Sequence, residues 1–238
     1  MNTQQPIYLF AGGRGKSILT TFAEMGKVFK TAGKVKPDIA IVGVASLKDN
    51  WLVYILMSAL IKSGCKCHIK RVLIARPNAD IDKAREMLRK ADAVFISGGD
   101  AEVGMQILHE KNMVGFLQNL VGQGKLFLGG SAGTIMMCRE WVRWQDCDDD
   151  STAELYPCLG LAPIICDTHA EGDDWVELKV ALQLKGDGAI GYGITSGAYL
   201  KAYPDGRLEA EAGAVVRYAN VNGKIERQAD LLPADHAG

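Results

Sequence analysis

Leu126-Phe-Leu-Gly-Gly-Ser-Ala-Gly-Thr-Ile-Met-Met137 is the stretch of this sequence that decides the fold. An apolar run ends in two glycines, a serine follows, and an amphipathic segment begins directly after it. This order predicts a buried strand, a sharp turn at Ser131 and a helix. Gly129-x-Ser131-x-Gly133 is the spacing of a nucleophile elbow, in which small neighbours let the chain turn and leave the serine Oγ exposed above a sheet. The competing interpretation is a tight turn that needs small residues only for packing.

Apolar runs and helix-like periods alternate from the N-terminus up to this stretch. The strands are predicted at Ile7–Ala11, Asp38–Ala45, His68–Ile74, Asp92–Ser97 and Lys125–Gly130. The helices are predicted at Lys16–Lys30, Trp51–Lys62, Asn78 or Asp80 to Lys90, Ala101–Glu110, Met113–Val121 and Ala132–Glu140. The strands are continuous apolar runs, which is typical of a parallel sheet covered on both faces. The sequence therefore predicts an α/β fold with a mostly parallel sheet and helices on both faces.

The C-terminal third has a different pattern of short strands and tight turns. Strands are predicted at Gly191–Ile194, Ala198–Tyr203, Leu208–Ala210 and Ala214–Tyr218. The Pro204-Asp-Gly206 and Asn222-Gly223 turns separate them, so we expect antiparallel additions at the sheet edge near the C-terminus. Since no linker and no internal repeat is present, residues 1–238 are predicted to form a single hydrolytic domain, with residues 232–238 as a loose tail.

Composition excludes several classes of function. The net charge is −1 and 48% of residues are hydrophobic, so no basic footprint for nucleic acid is present. The longest apolar run, Trp51–Ile61, is too short to span a membrane, and the polar N-terminus has no secretory pattern. The six cysteines include no CxxC pair, so we expect free thiols in a cytoplasmic protein. Cys65-Lys-Cys-His68 is an isolated fragment of a metal motif, and neither a metal nor another cofactor is expected.

A nucleophilic serine needs a base, and His169 is the best placed of the four histidines. It follows the apolar run Leu161–Cys166 in Asp167-Thr-His169, where a strand is predicted to end in a loop. The other three are predicted at a strand start, inside a helix and in the tail (His68, His109 and His236). Ser97-Gly-Gly-Asp100 is a second strand-to-helix turn, and its backbone N–H groups could supply half of an oxyanion hole, or the turn is only a helix cap.

The segment Phe10-Ala-Gly-Gly-Arg-Gly-Lys-Ser17 is close to a phosphate-binding loop. Phe10 replaces the first glycine of that motif, which supports the cradle of N–H groups. A glycine-rich loop beside the site is therefore favoured over nucleotide binding.

These landmarks resemble the dipeptidase E and cyanophycinase family of serine peptidases, which share the class I glutamine amidotransferase-like, flavodoxin-like fold. The resemblance covers Ile7 to Leu200. It is carried, in order, by Ala11-Gly-Gly13, Val44-Ala-Ser46, Phe95-Ile-Ser-Gly-Gly-Asp100, Gly130-Ser-Ala-Gly133, Asp167-Thr-His169 and Gly191-Tyr-Gly-Ile-Thr-Ser-Gly197. The resemblance implies that Ser131 is the nucleophile and His169 the base. It also implies that Gly99 and Ala132 donate the oxyanion-hole N–H groups.

The acid that would orient the histidine departs from the family pattern. Related sequences carry an acid in the Gly-x-Gly-Ile-x-Glu-Gly stretch, where this chain has Ser196. Asp146 matches a second acid of the family's triad, and Asp167 is two residues from the base. A Ser196 hydroxyl could also accept the ring N–H, without charge. Loss of the orienting acid can cost about 10⁴ in rate.

Three hypotheses follow from the sequence. The first is a serine peptidase or amidase acting on a small peptide through a Ser131 acyl-enzyme. The second is a catalytically weakened relative that binds a small peptide or metabolite, because Ser196 replaces the acid. The third is a glutamine hydrolase, disfavoured since Cys138 lies inside the helix rather than at the elbow. We expect no nucleic-acid or membrane partner, and the sequence leaves a homodimer open. The acidic residues 171–174 would disfavour acidic substrates if they line the crevice.

Overall fold

The computed structural model describes residues 5–13, 17–46, 51–146 and 148–234. The strands are β1 Ile7–Phe10, β2 Asp38–Val42, β3 His68–Val72, β4 Ala93–Ile96, β5 Leu126–Gly130, β6 Glu140–Trp144, β7 Ala153–Pro157, β8 Ile165–Thr168, β9 Ile190–Ile194, β10 Tyr199–Ala202, β11 Leu208–Glu211, β12 Val215–Val221 and β13 Lys224–Leu231. The α-helices are α1 Ser17–Lys30, α2 Trp51–Gly64, α3 Ile81–Lys90, α4 Ala101–Glu110, α5 Val114–Gly122, α6 Ala132–Met137 and α7 Val176–Lys185. Residues 14–16 of the glycine-rich loop, His236 and residues 235–238 of the predicted tail lie outside the described residues.

A seven-stranded sheet forms the centre of the molecule, in the order β11-β10-β1-β5-β4-β2-β3. Five neighbouring strands of this sheet, β1, β5, β4, β2 and β3, pair in parallel. Strands β10 and β11 extend the sheet beyond β1 in antiparallel orientation. The predicted α/β class, with a mostly parallel sheet and antiparallel strands near the C-terminus, is confirmed. Because β1, β4 and β5 are neighbours, the loops after their carboxyl ends converge on one crevice.

Both faces of this sheet are buried, which explains the continuous apolar runs. Along β1, Leu9 faces one core cluster and Phe10 faces the other, as the two-residue period of a strand requires. The Phe10 side contains buried residues of α1 and α2, such as Phe29 and Ile61. The Leu9 side contains residues of α3 to α7, such as Leu88.

A second sheet of four strands, in the order β13-β12-β9-β8, was not predicted. Gly191–Ile194 and Ala214–Tyr218 were expected at the edge of the main sheet, and this expectation is wrong. Strand β9 pairs instead with β8 in parallel and with β12 antiparallel. The glycines of β9 explain the arrangement, because a Cβ on Gly193 would lie 2.6 Å from the Trp175 ring, just before α7. A side chain at position 193 would therefore prevent Trp175, which directly precedes α7, from packing on this sheet.

The helix predicted at Ala132–Glu140 ends earlier, at Met137. Glu140–Trp144 forms β6 and pairs with β7 as a hairpin. In that stretch Trp141 and Val142 are buried while Arg143 and Trp144 are partly exposed, so the burial lacks the strict alternation of a half-buried strand, and the pairing with β7 defines the element. The backbone N–H of Arg139 donates to Ile164 O at 2.9 Å, which fixes the start of the hairpin next to β8.

None of the helices in the described part of the chain has the length and apolar character needed to cross a membrane. The five cysteines within the described ranges are free thiols, as predicted: Cys65, Cys67, Cys138, Cys158 and Cys166. Burial raises the pKa of the Cys158 thiol to about 12. Such a thiol stays protonated and packs as a small apolar side chain.

Candidate active site

Ser131 occupies a strained turn between β5 and α6. Its backbone has φ 54° and ψ −128°, a conformation that L-residues rarely adopt. Two hydrogen bonds hold this turn to β1, because Phe10 O accepts from the Ser131 N–H at 3.0 Å and from the buried Thr134 hydroxyl at 2.7 Å. The side chain of Ser131 is half-buried. The predicted elbow geometry is therefore present at this position.

The glycines on either side of Ser131 are required by close approach. A Cβ on Gly133 would lie 2.1 Å from Ile96 O, and a Cβ on Gly129 would lie 2.7 Å from Thr134 Cα. Both distances are far below van der Waals contact, so any larger residue would push α6 away from the sheet. The Gly-x-Ser-x-Gly spacing thus brings the first turn of α6 against β4.

His169 follows β8 directly and also adopts a left-handed conformation, with φ 48°. Its backbone N–H donates to Ile194 O at 3.0 Å, which attaches it to the end of β9. The two elements that carry Ser131 and His169 contact each other inside the core. Cys138 at the end of α6 and Cys166 on β8 are both fully buried, with their Sγ atoms 3.1 Å apart.

This packing brings the two predicted residues together. Ser131 Oγ lies 2.7 Å from His169 Nε2, a hydrogen-bond distance. The serine is therefore in contact with the histidine that the sequence favours as its base. The two other described histidines lie elsewhere, since His68 starts the edge strand β3 and His109 is exposed near the end of α4.

The turn 97–100 lies directly against the serine. A Cβ on Gly98 would be 2.9 Å from Ser131 Cβ, and one on Gly99 would be 1.9 Å from Ala45 O. Gly99 has φ 145°, so both its space and its backbone require glycine. Asp100 caps α4, accepting the Val103 N–H at 3.0 Å. Within the described ranges, no protein acceptor takes the backbone N–H of Gly99 or Ala132.

Asp167 is a buried carboxyl group at the end of β8. Its Oδ1 accepts the Thr168 N–H at 2.6 Å. The pKa of Asp167 is raised to about 7, mainly by burial and also by the nearby carboxylates of Glu177, Asp173 and Glu171, while the Thr168 hydrogen bond lowers it.

Comparison with known proteins identifies the family. The family model described as "Peptidase family S51" matches residues 9–203. The chain belongs to peptidase family S51. Among solved structures, the S51 chain is similar to a "Putative Peptidase E Protein" from Listeria monocytogenes EGD-e, with TM-score 0.65 and 16% identity over 87% of this chain and 98% of that one. It is also similar to a peptidase from an acI-B1 Actinobacterium, with TM-score 0.67 and 16% identity over 98% of this chain and 96% of that one. No curated protein matches the sequence significantly.

Family membership supports a peptidase and hence a hydrolase, and the two structural likenesses show the fold. In this S51 protein the candidate site combines a serine on a strained elbow, a histidine in contact with it, and a glycine turn that packs against Ser131 and Ala45. Ser131 and the glycine turn follow the neighbouring strands β5 and β4 of the main sheet, as expected for a site in an open parallel sheet, and His169 follows β8 of the second sheet.

The hydrogen-bond partners of Asp146 are outside this cluster. It is exposed in the turn of the β6–β7 hairpin, where its Oδ1 accepts the Asp148 N–H at 3.0 Å and its own N–H donates to the Thr152 hydroxyl. No hydrogen bond or ion pair joins Asp146 to His169 among the described residues. The orienting role of Asp146 stays a prediction.

Ser196, which replaces the family acid, has a carboxylate as its partner. Its backbone N–H donates to Glu171 Oε1 in a short hydrogen bond, and its Oγ lies 3.4 Å from Glu171 Oε2. Glu171 is two residues after His169, in a 3-10 turn over residues 171–173. The acidic stretch 171–174 is evident in the sequence, but its contact with Ser196 was not predicted. The signal available in the sequence was a carboxylate just after the histidine together with the missing acid at position 196.

Proposed function

We propose that this S51 protein is a serine peptidase or amidase that hydrolyses a small peptide through an acyl-enzyme on Ser131. The observation that carries the proposal is the 2.7 Å contact between Ser131 Oγ and His169 Nε2. A nucleophile and a base within hydrogen-bond reach are the minimal arrangement for activating a serine. The strained φ of Ser131 supports it, because backbone strain concentrates at functional positions.

In this mechanism neutral His169, with its proton on Nδ1, accepts the Ser131 proton at Nε2 as Oγ attacks the substrate carbonyl. The tetrahedral oxyanion accepts hydrogen bonds from the N–H groups of Gly99 and Ala132. His169 then donates its Nε2 proton to the leaving amine, so the C–N bond breaks and an ester to Ser131 remains. Water, deprotonated by His169, attacks the ester carbonyl, the bond to Ser131 Oγ breaks, and His169 returns its proton to Oγ as the acid is released.

The charge around the site bears on the substrate class. Glu177, Asp173 and Glu171 lie close enough to Asp167 to raise its pKa. No lysine or arginine among the described residues forms an ion pair with Glu171 or Asp173. A peptide with a neutral or basic side chain beside the scissile bond therefore fits the site better than an acidic one.

Peptide hydrolysis by single-residue variants tests the proposal. Amine release from a panel of dipeptides with acidic, neutral and basic residues is compared for wild type, Ser131→Ala and His169→Ala. We expect both variants to lose about 10³-fold or more in rate. Ser63→Ala is the matched control, since Ser63 is exposed at the end of α2 and its Oγ donates to Leu60 O of the same helix.

Undiminished hydrolysis by purified Ser131→Ala would contradict the proposal. Binding of a peptide by wild type without any release of amine would favour the second candidate, a relative that binds a small peptide or metabolite. The replacement of the family acid by Ser196 is the observation behind that candidate.

A further inference from the structure

The carboxylate of Glu171 connects the two loops that surround the candidate base. One loop runs from His169 into the 3-10 turn at 171–173, and the other joins β9 to β10 through residues 195–198. Glu171 Oε1 accepts the backbone N–H of Ser196, and Oε2 lies 3.4 Å from the Ser196 hydroxyl. A charged acceptor makes such hydrogen bonds about twice as strong as neutral ones.

The second loop is in turn fixed to the nucleophile side of the site. The Gly197 N–H donates to Gly12 O at 2.9 Å. A Cβ on Gly12 would lie 3.8 Å from Ser131 Cβ, so Gly12 packs directly against the elbow. A continuous series of contacts therefore runs from the histidine loop through Glu171 and Ser196 to the loop beside Ser131.

His169 needs such support, because its left-handed backbone is strained. A non-glycine residue with φ 48° is strained and persists only where neighbouring contacts hold it. Two contacts bridge the histidine loop to the end of β9 and the turn after it: the His169 N–H to Ile194 O, and Glu171 to Ser196. Glu171 forms no ion pair with an imidazole nitrogen of His169 within the described part of the chain. Its effect on the base therefore acts through the loop.

We infer that Glu171 is a positioning residue for His169: its carboxylate, bound to the Ser196 N–H and facing the Ser196 hydroxyl, holds the histidine loop in the conformation in which Nε2 reaches Ser131. The acid expected on the β9–β10 loop is thus supplied by the opposite loop, and Ser196 provides the donors. The inference rests on the proposed function, since positioning matters only if His169 serves Ser131.

The rate of Ser131 labelling by a fluorophosphonate, followed by intact mass, tests this inference. Glu171→Gln removes the charge and keeps the shape, and we expect a loss of about tenfold to a hundredfold, the cost of a small misplacement of a reacting group. Glu171→Asp should recover part of the rate. Glu171→Ser combined with Ser196→Glu restores a carboxylate across the same pair of loops and should recover more of it than Glu171→Ser alone.

Asp173→Asn separates positioning from general negative charge. It removes the same charge two residues away, and Asp173 accepts the Trp175 N–H rather than contacting Ser196. We expect a smaller loss than for Glu171→Gln. Equal losses of labelling rate in Asp173→Asn and Glu171→Gln would overturn the inference. A wild-type labelling rate in Glu171→Gln would also overturn it. So would a double variant, Glu171→Ser with Ser196→Glu, that is labelled no faster than Glu171→Ser alone. Complete absence of labelling in folded wild type would overturn the proposed function and this inference with it, so the two failures are distinguishable.

Discussion

Replacing Asp167 by asparagine should change how the stability of the protein depends on pH. Asp167 is 5% exposed, and its pKa rises from 3.8 to about 7 on folding. Because the folded state binds this proton more tightly than the unfolded state, the stability that Asp167 contributes is complete below about pH 4. It is lost as the pH rises through about 7, where the native protein must hold a buried charge.

The magnitude follows from the two pKa values. Each pKa unit corresponds to about 1.4 kcal/mol, so the shift from 3.8 to about 7 corresponds to about 4 kcal/mol. Asparagine does not titrate, and its Oδ1 can still accept the Thr168 N–H. The free energy of unfolding of Asp167→Asn, relative to wild type, should therefore increase by about 4 kcal/mol between about pH 4 and pH 8.

Urea denaturation followed by tryptophan fluorescence at several pH values measures this difference. Asp82→Asn is the matched control, because its side chain is 95% exposed in the first turn of α3. The control should differ from wild type by a nearly constant amount across the range. An Asp167→Asn difference that is equally flat would refute the reasoning, since it would mean that the charged carboxylate is solvated in the native state.

The remaining predictions concern packing, the elbow and substrate charge. Gly133→Ala should destabilise the protein by about 3 kcal/mol or more in urea denaturation, because its Cβ would lie 2.1 Å from Ile96 O. Gly115→Ala on α5 is the control: its Cβ would meet open space, so it should be neutral or stabilising by up to about 1 kcal/mol. Thr134→Val should cost about 0.5–1.5 kcal/mol, since Phe10 O loses its buried hydroxyl donor and keeps the Ser131 N–H, and a cost near zero would show that this bond does not hold the elbow. A dipeptide with a basic residue should have a higher kcat/KM than its acidic counterpart, the ratio should decrease with added salt, and a preference for the acidic peptide would contradict the proposed substrate class.

The parts of the fold predicted well from sequence are those with strong local signals. The five parallel strands are continuous apolar runs between segments with helix-like periodicity. The glycines on either side of Ser131 are a second local signal, because close approach to Ile96 and Thr134 leaves no room for a side chain at those positions. The place of His169 after the apolar run Leu161–Cys166 predicts its position at a strand end, and the last two residues of that run are the start of β8 in the structure.

The parts predicted poorly depend on pairing between distant segments. Gly191–Ile194 gives the same local pattern whether it joins the main sheet or pairs with β8, and its packing beneath Trp175 decides the outcome. Likewise, the helix predicted at Ala132–Glu140 ends at Met137, and Glu140 is instead the first residue of a strand that pairs with the distant segment β7. The contact between Glu171 and Ser196 joins residues 25 positions apart, and no local signal specifies it.

Fluorophosphonate labelling with peptide mapping tests the central claim most directly. The account predicts one adduct per chain, on Ser131, with labelling abolished in Ser131→Ala and strongly slowed in His169→Ala. The folded state of each variant is checked by its denaturation curve. Labelling at another serine, or an undiminished rate in His169→Ala, would contradict the claim that Ser131 and His169 act as nucleophile and base.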